Sequence, residues 1–274
     1  MFRNYLLIAW RNLKKNRVFA AINILGLSIG MAACLLILQY VSLETSYDNF
    51  HANADRIYRV SQKGWNGTRY VQDACGFNVA GPAMQAEFPA VQDYAYLRLR
   101  DKCNLAHGNV SFREDRVGVA SAHFLTVFSF PLLQGNPATA LAAPKSVVIS
   151  RTAARRYFGD RNPLGRSLRY NDGYHQELLT VTGVMADMPV NSHLHLDVLI
   201  SYETARAWDG WGMDWCCNND YVYVLLQPGA DPESLAAALP AFTRKHVPNQ
   251  QQHRDVLELQ ALRDIHLHSD KTFE

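Results

Sequence analysis

Acidic side chains are missing from the first 43 positions of this 274-residue chain. That stretch holds five cations, Arg3, Arg11, Lys14, Lys15 and Arg17, leaving 22 cations against 25 acids in the remainder. Positive charge is therefore confined to one short N-terminal segment, which removes the electrostatic case for a face that binds nucleic acid. Low-complexity segments and short-period repeats are absent too. A composition of 48% hydrophobic and 19% charged residues excludes wholesale disorder and allows one or two domains with a core. No P-loop signature (GxxxxGK followed by Ser or Thr) occurs, so the chain cannot itself hold a nucleotide in that way. No pair of acids stands apart from the ordinary surface carboxylates, which argues against an enzyme, and no cofactor is implied. Cysteine is scarce, with Cys34 in an apolar run and Cys75, Cys103, Cys216 and Cys217 open to three pairings that sequence does not rank. Vicinal Cys216 and Cys217 lack a second CxxC or a His pair nearby in sequence, so a soft-metal site is not expected there.

What the N-terminus does contain is a long apolar run. Val18 to Leu43 is 26 residues with no ionisable side chain apart from Cys34 and Tyr40. As a helix it would rise roughly 39 Å, against about 30 Å for a hydrocarbon core, so it reads as a transmembrane helix. A cleaved signal would be apolar for only about 7–15 residues. Met31-Ala32-Ala33-Cys34 faintly resembles a lipoprotein processing site, but the apolar run continues for nine residues beyond Cys34. Cations on the N-terminal flank place that end in the cytoplasm and residues 44–274 in the periplasm. Before the span, Leu6, Trp10 and Leu13 recur at helical spacing and predict an amphipathic helix over 1–17, lying in the headgroup interface of the lipid bilayer.

Gly26-Leu27-Ser28-Ile29-Gly30 matches the hydrolase elbow GxSxG, but that serine would sit in mid-membrane with no strand before it. Gly26 and Gly30 instead form a GxxxG face that permits close approach of another membrane helix. Beyond the span, Ile57–Val60, Tyr94–Arg100, Tyr221–Leu226 and Val256–Leu262 read as strands, the third apolar on both faces and hence central. Helices are expected between them. One opens at Gly81-Pro82, and another at Asp231-Pro232 with Leu235, Leu239 and Phe242 buried and a kink at Pro240. Two such βαβ units predict a ferredoxin-like split βαβ sheet with two helices on one face. Residues 105–205 interrupt it as a mixed α+β insert, with strands at 117–120, 146–149, 178–185 and 194–200 and short helices near 121–128 and 151–158. His193-Leu194-His195 and His266-Leu267-His268 would each place two imidazoles on one face if extended. Nothing in the sequence brings the pairs together, so they are read as structural and no metal site is assigned.

Several stretches together resemble the MacB/FtsX-like permeases of ABC transporters, in the form whose ATPase is a separate chain. They are NYLLIAWRNLKKNRVFAAINILGLSIGMAACLLIL (4–38), SYDNFHANADRIYRV (46–60), VFSFPLLQGNPATAL (127–141), SVVISRTAARRYFGDRNPLGRSL (146–168), LTVTGVMADMPVNSHLHLDVLIS (179–201) and DIHLHS (264–269). The resemblance implies an α+β fold: one N-terminal transmembrane helix (18–43) followed by a periplasmic core domain (44–274). Within that domain a porter-like part (45–104 and 206–270) would carry the insert. It further implies transmembrane helices after residue 274, a cytoplasmic ATPase partner, a second permease copy, and a periplasmic adaptor or substrate protein. A single-span, membrane-anchored binding or sensor module is the alternative.

Overall fold

The computed structural model describes residues 2–65, 67–100, 102–209, 214–215, 219–248 and 255–271. The chain divides into two compact units, Met1–Ser46 and Tyr47–Glu274. In the first, α1 (Phe2–Lys15) is followed after Asn16 by α2 (Arg17–Glu44). Helix α2 has no buried residue, and it is the one helix among the described residues long and apolar enough to cross a membrane. Its 28 residues extend the expected span by one residue at each end.

The second unit is built on a sheet whose elements follow in chain order. The first half comprises β1 (Ile57–Trp65), β2 (Tyr70–Asp73), α3 (Ala80–Glu87), β3 (Val91–Arg100), β4 (Cys103–His107), β5 (Val110–Glu114), β6 (Val117–Ala120) and α4 (Phe124–Val127). The second half comprises β7 (Leu132–Gln134), β8 (Ser146–Ser150), α5 (Arg151–Phe158), β9 (Ser167–Asn171), β10 (Gln176–Met185), β11 (Val198–Ser201) and α6 (Tyr202–Asp209). It closes with β12 (Tyr221–Leu226), α7 (Pro232–His246), β13 (Val256–Ala261) and α8 (Ile265–His268).

Four strands from the two ends of the unit lie in the order β13-β1-β12-β3, each pair antiparallel. This is the split βαβ arrangement, with β12 between β1 and β3 as its apolar, two-faced composition requires. Met84 of α3 and Leu235, Leu239 and Phe242 of α7 join one core cluster on one face, together with Val60, Val222 and Val224. Alternate residues Ile57, Ala95, Leu97, Tyr223 and Leu225 enter the cluster on the other face, where α4 packs. The helix starts follow local chemistry. Asp231 accepts hydrogen bonds from the backbone N–H groups of Glu233 and Ser234 at 3.0 and 3.2 Å, with Pro232 at the first helical turn. Ser150 accepts from the Ala153 N–H at 3.1 Å, and Gly159, at φ +62°, ends that helix. Helix α7 runs on through Pro240 to His246.

The strands of the expected insert extend the same sheet, since β3 pairs with β6 in the register Leu97↔Ala120 and the path continues through β11, β8, β10, β9, β4 and β5. Two local expectations are corrected. The strand predicted over 194–200 is confined to Val198–Ser201. Upstream of it the backbone bonds elsewhere: the Leu194 N–H donates to Ser192 Oγ and the Leu196 N–H to Met188 Sδ, both at 3.2 Å. Likewise His266 and His268 lie on one turn of helix rather than a strand, where residues two apart do not share a face.

Candidate functional site

In the first unit, Gly26 and Gly30 share one face of α2. A Cβ built at either glycine meets nothing within 4 Å. With Ile22 and Cys34 they line a shallow groove along the helix. On α1, Trp10 and Leu13 are exposed, and Lys14, one turn on from Trp10, sets its ammonium 5.7 Å from the centre of the indole ring. The Leu6 side chain lies outside the described residues.

The second unit begins with a buried polar cluster. Asp48 is fully buried and adopts φ +56°, a left-handed conformation that aspartate tolerates better than most residues. Its backbone N–H donates to the Asn191 carbonyl at 2.9 Å. Its Oδ1 accepts from the His193 N–H at 3.2 Å and from Ser192 Oγ at 3.3 Å. His193 Nδ1 lies 2.9 Å from Asp48 Oδ2, out of line for a hydrogen bond, while Nε2 meets the Tyr223 hydroxyl at 2.9 Å. One turn on from Asp48, His51 is 4% exposed, packed against Phe50, Phe128 and Phe130, and neither ring nitrogen has a hydrogen-bond partner. Burial therefore lowers its pKa to about 4, with Asp48 opposing the shift and His193 adding to it. Burial likewise pushes the Tyr223 hydroxyl far above the ordinary tyrosine value, keeping it protonated.

His193 borders a cavity of about 440 Å³. The structure brings three of the four HxH imidazoles to its lining, His193, His195 and His266, whereas His268 turns away to Asp264 at 3.4 Å. His266 stacks in parallel on Tyr47, with ring centres 3.4 Å apart, and so joins the two chain ends of the unit. The pKa of His195 is lowered by burial and by Arg116. Arg59, 1% exposed, stands in the cavity wall and donates to Gln260 Oε1 at 2.7 and 3.2 Å and to Ser269 Oγ at 3.2 Å. No group of three or more His, Cys, Asp or Glu among the described residues is placed to hold a metal ion.

Cys75 and Cys103 are free thiols, and burial pushes each to a pKa of about 12, so neither is a reactive thiolate at neutral pH. Cys216 and Cys217 lie outside the described residues. Sequence reasoning passed over Asp48, His51, Arg59 and Tyr223. Arg59 left a trace, as a cation inside the otherwise apolar strand start Ile57–Val60.

A family model described as the MacB-like periplasmic core domain matches residues 20–242. Among solved structures, the chain is similar to a domain assigned to a permease protein of Porphyromonas gingivalis, at TM-score 0.64 and 25% identity, covering 77% of this chain and 91% of that one. It also resembles the periplasmic region of MacB from Actinobacillus actinomycetemcomitans, at TM-score 0.54 and 15% identity over 74% of this chain and 88% of that one. The extracellular domain of the noncanonic ABC-type transporter YknZ from Gram-positive bacteria shares the fold at TM-score 0.52 and 12% identity, over 74% and 99% of the two chains. No curated protein matches the sequence.

Proposed function

From the premise that this chain belongs to the MacB-like periplasmic core domain family, we propose that it is the membrane subunit of an ABC transporter of the MacB/FtsX type. Its N-terminus lies in the cytoplasm, where a separate ATPase chain hydrolyses ATP, and residues 44–274 lie in the periplasm. There a porter-like part (45–104 and 206–270) carries the insert (105–205). The observation that carries this reading is the extent of the family match, which starts inside the apolar helix and runs to residue 242, so that helix and domain belong to one family unit.

In this reading ATP-driven movement of the membrane helices is passed to the periplasmic domain for export or another envelope process. The buried cluster suits that task. Only three residues separate Glu44, the end of α2, from Asp48, and Asp48 is bonded through both backbone and side chain to the 191–193 segment. A displacement reaching Asp48 along the chain would thus be passed to the 191–193 segment. The GxxxG face of Gly26 and Gly30 packs on another membrane helix, such as that of a second permease copy, and α1 rests on the cytoplasmic bilayer surface through Leu6, Trp10 and Leu13. A periplasmic adaptor or substrate protein is the partner on the other side.

Affinity purification of the tagged protein from its own membranes tests the proposal. A P-loop ATPase should copurify in stoichiometric amount and hydrolyse MgATP. Correct membrane insertion with no ATPase recovered would overturn it in favour of an anchored sensor module.

A further inference from the structure

Strand β5 ends the sheet path and, among the described residues, pairs only with β4. Its first four residues, Val110 to Arg113, are all exposed, whereas β13 at the opposite end of the path is partly or fully buried along its length. The hairpin fixes which backbone groups of β5 face outward. Its loop is Gly108-Asn109, with Gly108 at φ +57° as the first central residue of a type II′ turn requires. Such a turn closes on a hydrogen-bonded pair, here His107 and Val110, so alternation along the ladder makes Leu105 and Phe112 the next bonded pair. The N–H and C=O groups of Ser111 and Arg113 therefore point away from β4, and no described residue bonds them.

The side chains beside that open edge differ between its two faces. Val110 and Phe112 point to the face that α5 covers, and they remain 37% and 39% exposed although Phe112 leans on Tyr157. Arg156, next to Phe112, is already paired with Glu114 at 2.8 Å and adds no free charge. Ser111 and Arg113 point to the other face, where the rows Ser111-Ala106-Arg169 and Arg113-Asn104-Asn171 run across β5, β4 and β9. These rows hold two exposed guanidiniums and no carboxylate, and neither Arg113 nor Arg169 has an acidic partner among the described residues. An incoming strand would thus meet apolar surface on one face and unmatched positive charge on the other. A second copy fits this badly, because antiparallel pairing centred on Phe112 would set two Arg113 side chains as diagonal neighbours on one face. We infer that β5 receives an extended segment of a partner protein as an added edge strand, with alternate apolar and acidic residues, the acids directed toward Arg113 and Arg169. Main-chain bonds to Ser111 and Arg113 supply affinity, and the alternation supplies specificity. The surface follows from the fold and holds whether or not an ATPase pairs with this chain.

Microscale thermophoresis of the full chain in phosphatidylcholine nanodiscs at neutral pH tests this. The probes are the capped peptide Val-Glu-Val-Glu-Val-Glu-Val, its Lys-for-Glu counterpart, and a block peptide of unchanged composition, Val-Val-Glu-Glu-Glu-Val-Val. The alternating acidic peptide should bind with a Kd below about 1 mM, and the other two about tenfold more weakly, if at all. Ser111→Pro removes an outward N–H at an edge position that tolerates proline, so it should fold normally and lower the affinity about tenfold. Arg113→Glu should also weaken binding about tenfold, and Arg113→Gln less. Should Ser111→Pro melt below wild type, the Arg113 pair and the peptide series decide. No binding of the alternating peptide at about 1 mM, equal affinity for the three peptides, or wild-type affinity in both Arg113 variants would overturn the inference. So would absent peptide binding together with self-association, seen by analytical ultracentrifugation, that Ser111→Pro abolishes, which would give the edge to a second copy.

Discussion

Replacing Asp48 separates the two things this residue does. Asp48→Ala removes the acceptor for the His193 N–H and the Ser192 hydroxyl, and it puts a residue with no local hydrogen bonding at φ +56°. A buried donor left without a partner costs about 1–3 kcal/mol, and the left-handed conformation costs alanine roughly 1 kcal/mol more than aspartate. The expected loss is about 3 kcal/mol or somewhat more. Asp48→Asn keeps both the acceptor oxygen and the tolerance of that conformation and gives up only the charge assistance, about 1 kcal/mol. Asp48→Gly loses the contacts but not the conformation, so it should lie about 1 kcal/mol above alanine. In a folded unit of roughly 230 residues, 1 kcal/mol corresponds to about 2–4 °C. Differential scanning calorimetry of the full chain in detergent should therefore show the Ala variant melting about 6–12 °C below wild type, Gly slightly higher, and Asn within about 4 °C. Coincident melting of all three variants, or an Asn variant as weak as Ala, would refute the account of Asp48 as a hydrogen-bonded anchor at the head of the domain.

The pKa of His51 gives a pH dependence with a definite sign. Its folded value of about 4 lies below the unfolded value of 6.5, so between those two pH values the unfolded chain binds the extra proton. The stabilisation by neutral His51 is therefore complete above pH 6.5 and is lost as pH falls toward 4, by about 3 kcal/mol in all. His51→Phe, which suits the surrounding phenylalanines and strands no hydrogen bond, should flatten the melting curve between those pH values; an unchanged pH slope would show that other groups set it. In α1, Trp10→Glu puts a charge where an indole would meet the acyl boundary. Cysteine labelling should show insertion and topology intact, because Arg11, Lys14, Lys15 and Arg17 remain. If the proposed complex with a separate ATPase forms, its ATP turnover should fall severalfold; unchanged turnover would reduce α1 to a topogenic signal.

The elements that could be read from sequence are those whose determinants are local. Helix α2 follows from an uninterrupted apolar run, α7 from Asp231-Pro232 and a stripe of Leu235, Leu239 and Phe242, and α5 from Ser150 and Gly159. The place of β12 at the centre of the split βαβ part was visible in Val222 to Leu226, which are buried on both faces. The joining of the insert to that sheet was not visible. It depends on pairing β3 with β6, and an edge strand with one alternating face looks the same in sequence whether its neighbour comes from its own motif or from an insertion. The region 194–197 misled for a related reason. Leu194 and Leu196 are buried as a strand would bury them, yet their backbone N–H groups bond to side-chain atoms of Ser192 and Met188, a competition that alternation of apolar residues does not reveal.

The site was harder still, because its parts are far apart in the chain. The contact between Asp48 and His193 joins two segments separated by most of the insert, and the Tyr47–His266 stack joins the first residue of the folded unit to its last described helix. The HxH pattern picked out His193, His195, His266 and His268 as two pairs, on a strand reading that the structure does not support, and assigned them no site. The imidazoles reach one cavity because the 191–197 segment and α8 are both drawn to the same end of the sheet: the first by Asp48, the second by Ile265, which is buried in the core cluster on that face. That end is also where the unit itself begins, at Tyr47. The Asp48 contacts and the Tyr47–His266 stack therefore tie the segment before β1, the 191–197 segment and the segment after β13 to one another there, three stretches that no local pattern in the sequence connects.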